Sequence, residues 1–217
     1  MSAVLNGGHG QRGRSDLAIY SLKPAFRRAL APVEHGLVRA GVSADAITVA
    51  GVLFAGLAGL GVWLGRDGNP WLLLVPAGAF IRTAANALDG LVATRTGTAR
   101  PLGEVLNETA DRVGDVVALL PVALVPGVND MLVAGALAAM LVSSFLGVAI
   151  KAAGGRRVYS GIMGKPDRML VLGVAAVVAM FVDPGSSFTA ALWIVMIGSL
   201  VTILQRAIIA RRELGVG

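Results

Sequence analysis

Cysteine is absent from the 217 residues, aromatic side chains make up 5% and charged ones 15%. Without cysteine there is no disulfide, no thiolate nucleophile and no cysteine metal site, so any catalysis must use other groups and the redox compartment is unmarked. The scarcity of charge is more telling, because 55% of the residues are hydrophobic and the mean hydropathy is +0.74. A soluble domain of this size has too little interior to hide that much apolar surface. The surplus belongs in lipid. Ala, Gly, Val and Leu dominate, which suits helices packed through small residues rather than a barrel, and small-residue faces would also allow a homodimer. Acidic residues are in short supply too: 13 against 19 basic ones, for a net charge of +6 and a pI near 10.7. Most basic residues flank apolar runs, where they orient the chain and attract anionic membrane lipid, so nucleic acid is set aside as a partner.

Residues 1–16 lack the apolar run and small-residue cleavage site of a secretory signal and read as a disordered tail. Residues 17–40 read as an interfacial helix. Ile19, Leu22, Phe26, Leu30, Val33 and Leu37 recur at helical spacing with Lys23, Arg27, Arg28 and Arg39 between them. Pro24 and Pro32 predict that this helix is broken and lies on the cytoplasmic surface. Residues 41–212 then form an all-α membrane domain. A span needs about 20 apolar residues, and runs near that length fall at 46–65, 71–88, 105–126, 131–152, 168–183 and 188–209. The third carries several charges, and the fifth is apolar only between Met169 and Val182.

Loop charge gives a topology. With the N-terminus inside, Arg95, Arg100, Lys151, Arg156, Arg157, Lys165, Arg211 and Arg212 all become cytoplasmic, and the opposite loops hold only Arg66. The expectation is six spans with both ends inside the plasma (inner) membrane and a site facing the cytoplasm.

Polar residues concentrate between Asn86 and Asp115. At about 100° per residue, Asn86 and Asp89 share a face of the second span, while Asn107, Asp111 and Asp115 follow one another at four-residue intervals on the third. Glu104 and Glu108 fall within the same arc. Each unpaired acid at bilayer depth costs about 2.5–3.5 kcal/mol, so such a stripe calls for a cation. Oxygen donors without His or Cys favour a hard ion, Mg²⁺ or Mn²⁺. In a second reading the acids pair with Arg82, Arg95, Arg100 and Arg112 or lie in headgroup water. His9 and His35 stand apart from the acids and offer neither ligand nor base.

This stretch resembles the CDP-alcohol phosphatidyltransferase family, whose motif is D-x2-D-G-x2-A-R-x8-G-x3-D-x3-D. The chain has Asn86, Asp89, Gly90, Ala93, Thr94, Gly103, Asn107 and Asp111 at that spacing, matching five of eight fixed positions. The sequence from Asp45 to Thr48 before the first span and Gly164 to Arg168 before the fifth extend the resemblance over roughly residues 20–210. It implies a cavity in which Asn86, Asp89, Asn107 and Asp111 hold divalent metal against the pyrophosphate of a CDP-linked lipid donor such as CDP-diacylglycerol. Asp111 is then the general base on a hydroxyl acceptor, and CMP leaves. Gly90, Ala93 and Gly103 leave room for the nucleotide, and Arg95 stands in for the motif Arg if the helix has ended before it. Lys165 and Arg168, helped by Arg156 or Arg157, would meet a phosphate on the acceptor.

Amides at 86 and 107 remove two charges from the metal site, and Glu104, Glu108 or Asp115 could restore one. The reading is a membrane phosphotransferase of phospholipid biosynthesis. The alternative is a homologue that has lost catalysis and serves as a membrane binding or partner subunit, indifferent to metal and to Asp111→Asn. A transporter lacks support, since no paired repeat of broken helices is visible.

Overall fold

A computed structural model of the chain describes residues 23–215, so the expected tail and residues 17–22 of the expected interfacial helix lie outside the described residues. Among the described residues the chain is helical with no strand. In order the helices are α1 (Lys23–Arg39), α2 (Ala44–Gly65), α3 (Leu74–Thr96), α4 (Pro101–Leu119), α5 (Asp130–Ala152), α6 (Lys165–Val178) and α7 (Pro184–Glu213). Short 3₁₀ turns at Pro70–Leu73 and Leu120–Leu124 lead into α3 and out of α4.

Local signals set the helix ends. Ser43, Asn129 and Asp183 cap α2, α5 and α7 by accepting from the N–H of Ala46 at 3.2 Å, Met131 at 2.8 Å and Ser186 at 2.7 Å. Pro166 sits in the first turn of α6, and Asp167 reaches back to accept from the N–H of Gly164 at 2.8 Å. Nothing stops α3 at the end of its apolar run, so it continues through Asp89 and Thr94 until Gly97 ends it in the left-handed conformation (φ 68°).

Small residues let the helices approach closely. A Cβ on Gly78 of α3 would stand 2.7 Å from the Phe54 carbonyl oxygen and 2.8 Å from the Ala58 nitrogen of α2. The main core of Ala55, Val62, Leu72, Val75, Met140, Leu172 and Phe188 joins α2, α3, α5, α6 and α7. A smaller cluster of Leu30, Ile47, Ala85, Leu88 and Val92, with Phe26 and Leu37 against it, seats α1 on α2 and α3. The surface is apolar where a water-soluble bundle would be polar: Leu53, Phe80, Phe145, Leu204 and Phe181 are 64–81% exposed. This is an integral membrane protein.

Among the described residues, four segments are long and apolar enough to cross a bilayer: Ala44–Gly65, Pro70–Thr96, Asp130–Ala152 and Pro184–Glu213. Helices α4 and α6, at the third and fifth expected spans, do not qualify by that measure. α4 carries Glu104, Glu108, Asp111, Arg112 and Asp115, and α6 has 14 residues, about 21 Å against a core of about 30 Å. The expected break in the first helix is a correction: α1 is continuous from Lys23 to Arg39 with Pro32 inside it. Pro32 is exposed, and Leu30, Phe26 and Leu37 pack the helix down on either side of it, which offsets the backbone bond that a proline cannot donate.

Candidate active site

Helices α3 and α4 both pack against α2, and the two halves of the polar stretch meet where Asn86 and Arg82 of α3 reach Asp111 and Asp115 of α4. Asp89 is buried, with one carboxylate oxygen accepting from Thr48 Oγ1 of α2 at 2.9 Å and the other from the Gly90 N–H at 2.6 Å. Asp111 on α4 is 2% exposed. Its Oδ1 accepts from Asn86 Nδ2 at 3.0 Å, and its Oδ2 is ion-paired with the Lys165 ammonium. Asp89 and Asp111 are near enough to repel, and Lys165 is near enough to both to offset them. Asn107 Oδ1 is shielded from solvent and has no hydrogen-bond partner among the described residues.

One turn deeper, a second carboxylate ties the bundle together. Asp115, fully buried, accepts from Arg82 of α3 at 2.8 Å and Arg168 of α6 at 3.1 Å. Arg82 also donates to the Asp111 carbonyl at 2.9 Å, and Arg168 to Ser144 Oγ of α5 at 3.1 Å. Toward the loop end, Glu108 pairs with Arg112 at 2.6 Å and with Arg157, while Glu104 meets Lys151 and Arg157. The whole acidic stripe beyond the motif is therefore met by cations. Of the expected pairings, Arg82 and Arg112 do meet stripe acids, while Arg95 and Arg100 go elsewhere.

Arg95 pairs with Glu34 of α1 at 2.7 Å, because α3 is still helical at this position and a one-residue shift turns the side chain by about 100°. The condition for Arg95 to replace the motif arginine is not met. Arg100 pairs with Asp45, and Gly103 sits beside both, where a Cβ would meet Arg100 at 3.6 Å and Asp45 at 3.8 Å. Gly90 is the contrary case: a Cβ there would meet nothing within 4 Å. Arg156, expected near an acceptor phosphate, is held by Glu213 at 2.6 Å, which raises the guanidinium above its ordinary value.

A cavity of about 1080 Å³ opens beside these groups. Asn86, Gly90, Arg112, Arg157, Lys165 and Arg168 line its polar part, whereas Phe80, Leu170, Val174, Val177 and Val178 form an apolar flank between α3 and α6. That flank is open, with Phe80 65% and Leu170 55% exposed. A molecule with an anionic head and apolar tails fits both halves.

Several contributors were not singled out as site residues in the sequence. Thr48 orients Asp89; Arg82 and Ser144, both in the cavity lining, position Asp115 and Arg168; Tyr159 lies under the Arg157 guanidinium at 4.6 Å. Arg82 was legible, as the sole charge within the apolar run 71–88. Thr48 and Ser144 were not, because hydroxyls in apolar helices ordinarily bond their own backbone.

The donors at the motif are oxygens throughout. Among the described residues, no three acidic, histidine or cysteine side chains converge as a metal cluster. A hard divalent ion fits this donor set in kind: the Asp89 and Asp111 carboxylates offer charged oxygens, and Asn107 Oδ1, without a partner among the described residues, offers a neutral one.

No family model matches the chain. It is 36% identical over 158 residues to the inner membrane protein YnbA of Escherichia coli (strain K12), covering 73% of this chain and 78% of the relative. It is 30% identical over 200 residues to the phosphatidylinositol phosphate synthase of Mycolicibacterium smegmatis, covering 89% and 88%, and 32% identical over 199 residues to that of Streptomyces avermitilis, covering 87% and 80%. The fold matches the crystal structure of Mycobacterium tuberculosis phosphatidylinositol phosphate synthase with CDP-DAG bound at a TM-score of 0.72 and 21% identity, over 87% of this chain and 96% of that one. The same enzyme with manganese and citrate gives 0.70 at 21% identity, over 85% and 90%.

Proposed function

The chain belongs to the CDP-alcohol phosphatidyltransferase family, and we propose that it moves a phosphatidyl group from CDP-diacylglycerol to a hydroxyl acceptor, releasing CMP in phospholipid biosynthesis. One observation carries this: the motif carboxylate Asp111 meets Asn86 and Lys165 beside a cavity whose flank is apolar and open. Its amphipathic shape suits a nucleotide lipid, with the head against Lys165 and Arg157 and the chains along Phe80, Leu170 and Val174.

The acceptor oxygen forms a bond to the lipid-bearing phosphorus, and the bond from that phosphorus to the bridging oxygen breaks. CMP departs with the electron pair. Asp111 takes the acceptor's proton on Oδ2 once Lys165 turns to the donor's phosphate. Lys165 can move, being one-third exposed on the cavity wall. Thr48 and the Gly90 N–H fix the Asp89 carboxylate. The structure of the manganese-bound relative and the oxygen donors here support Mg²⁺ or Mn²⁺ held by Asp89, Asp111 and the amide oxygen of Asn107, with Asn86 joining only if its amide turns from its bond to Asp111. When bound, the ion supplies charge neutralisation for the pyrophosphate. Gly90, lining the cavity with open space before it, lets the donor approach the helix backbone.

We also read α4 and α6 as the remaining two of six spans. Outward Leu102, Val105 and Val113 on α4, and Leu170 and Val174 on α6, support this, as do the inward Asp111, Asp115 and Arg168. Positive charge at the α3–α4 and α5–α6 loops supports an active site facing the cytoplasm, with α1 lying at that interface.

The test is CMP release by purified protein from CDP-diacylglycerol, with Mg²⁺ or Mn²⁺ against EDTA, across inositol phosphate, glycerol phosphate, serine and choline as acceptors. Metal-dependent release stimulated by one acceptor is expected and names the reaction. No release from protein that still binds nucleotide would favour the non-catalytic reading.

A further inference from the structure

In the free protein the motif acids already have partners. Both oxygens of Asp111 are engaged, one by the Asn86 amide and one by the Lys165 ammonium. Asp89 likewise accepts from Thr48 and from the Gly90 N–H. Asn86 presents its N–H₂ to Asp111 and turns its oxygen toward α2, where a Cβ on Gly51 would lie 3.4 Å from Oδ1.

Charge decides what this arrangement can hold. Two carboxylates and one ammonium leave a single net negative charge, and the amides at 86 and 107 add none. A divalent cation entering here must either expel Lys165 or leave the buried site positively charged, and an uncompensated buried charge is costly. The pyrophosphate of a nucleotide donor removes both obstacles. It brings at least two negative charges, and its oxygens can take over the Lys165 ammonium. Mg²⁺ in particular is commonly held by one or two carboxylates together with substrate phosphates, without an all-protein cage.

We propose that the free protein holds its divalent cation weakly, and that the cation is bound jointly with the pyrophosphate of the nucleotide donor, the same event drawing Lys165 off Asp111. This rests on the donor assignment above. It assigns Asn86 a role its amide suits and a carboxylate does not, since it shields Asp111 in the free protein by donating to it. It also assigns Lys165 a gating role. The base stays ion-paired until a donor is seated, which limits proton abstraction when no phosphoryl group is there to receive the acceptor.

The experiment is Mn²⁺ titration of the full chain in detergent, followed by the electron paramagnetic resonance of free Mn²⁺, with and without CDP-diacylglycerol and with a protein-free control. Donor binding is followed separately by retention of radiolabelled CDP-diacylglycerol on the protein. The donor is expected to tighten Mn²⁺ binding by about tenfold or more. Asn86→Asp, Asn107→Asp and Lys165→Met, which each make the site more negative, are expected to bind Mn²⁺ without donor. Equal Mn²⁺ affinity of the wild-type chain with and without donor, while the donor is retained, would overturn the joint-binding proposal alone. If the donor is retained under neither condition, the donor assignment fails and this proposal falls with it.

Discussion

At the residue scale, two aspartates one helical turn apart on α4 have separate tasks. Asp111 faces the cavity through Lys165 and Asn86, whereas Asp115 is enclosed between Arg82 and Arg168. Asp115→Asn leaves two buried guanidiniums short of a counter-charge, a change expected to cost about 3–5 kcal/mol. Thermal unfolding in detergent should show it as a lower midpoint, and an unchanged midpoint would argue against the network. Gly90→Ala makes the opposite separation. Its Cβ meets nothing within 4 Å, so the midpoint should hold while donor affinity falls, as read by CDP-diacylglycerol retention. The motif residues and Arg82 were legible in the sequence because charge within apolar runs is rare. Their pairings were not, since each depends on which side of a neighbouring helix faces the acid. Arg95 illustrates this, because its partner Glu34 lies 61 positions away on another helix.

The helices themselves were legible wherever apolar length was the signal. All six expected runs overlap helices, yet the runs 105–126 and 168–183 overshoot the ends of α4 at Leu119 and α6 at Val178, and the run 71–88 fell short of the end of α3 at Thr96. Polar residues end an apolar pattern without ending a helix; Gly97 does that. Pro32 misled in the other direction, since a proline breaks the bond pattern but α1 is held by packing on both sides of it. The close passage of α2 and α3 gives a test of the packing. Gly78→Val would drive a branched side chain into the backbone of Phe54 and Ala58. Overpacking of this kind costs about 1–3 kcal/mol, and because α3 also carries Asn86 and Asp89, both the unfolding midpoint and Mn²⁺ binding in the presence of donor should fall.

For the molecule as a whole, the two ends of the bundle differ in how many ion pairs they carry. Arg66 and Asp67 pair at one end near the α6–α7 turn, where Gly68 faces the Ala179 carbonyl. The other end carries the Arg95–Glu34, Arg100–Asp45, Lys151–Glu104 and Arg156–Glu213 pairs. The absence of cysteine makes orientation directly measurable. Ala153→Cys should be shielded from a membrane-impermeant maleimide applied outside intact cells and labelled after permeabilisation, while Asp67→Cys should be labelled from outside; the reverse pattern would invert the topology. In the proposed orientation the cavity's polar part would stand where a soluble nucleotide product can leave and its flank where lipid can enter. The central claim is that Asp111 is the base of a metal-dependent transfer, and the most direct measurement is CMP release from CDP-diacylglycerol by the wild-type chain and by Asp111→Asn at matched folding. A loss of about 10²–10⁴-fold in the variant, with its unfolding midpoint retained, is the expected result; release at the wild-type rate would contradict the account.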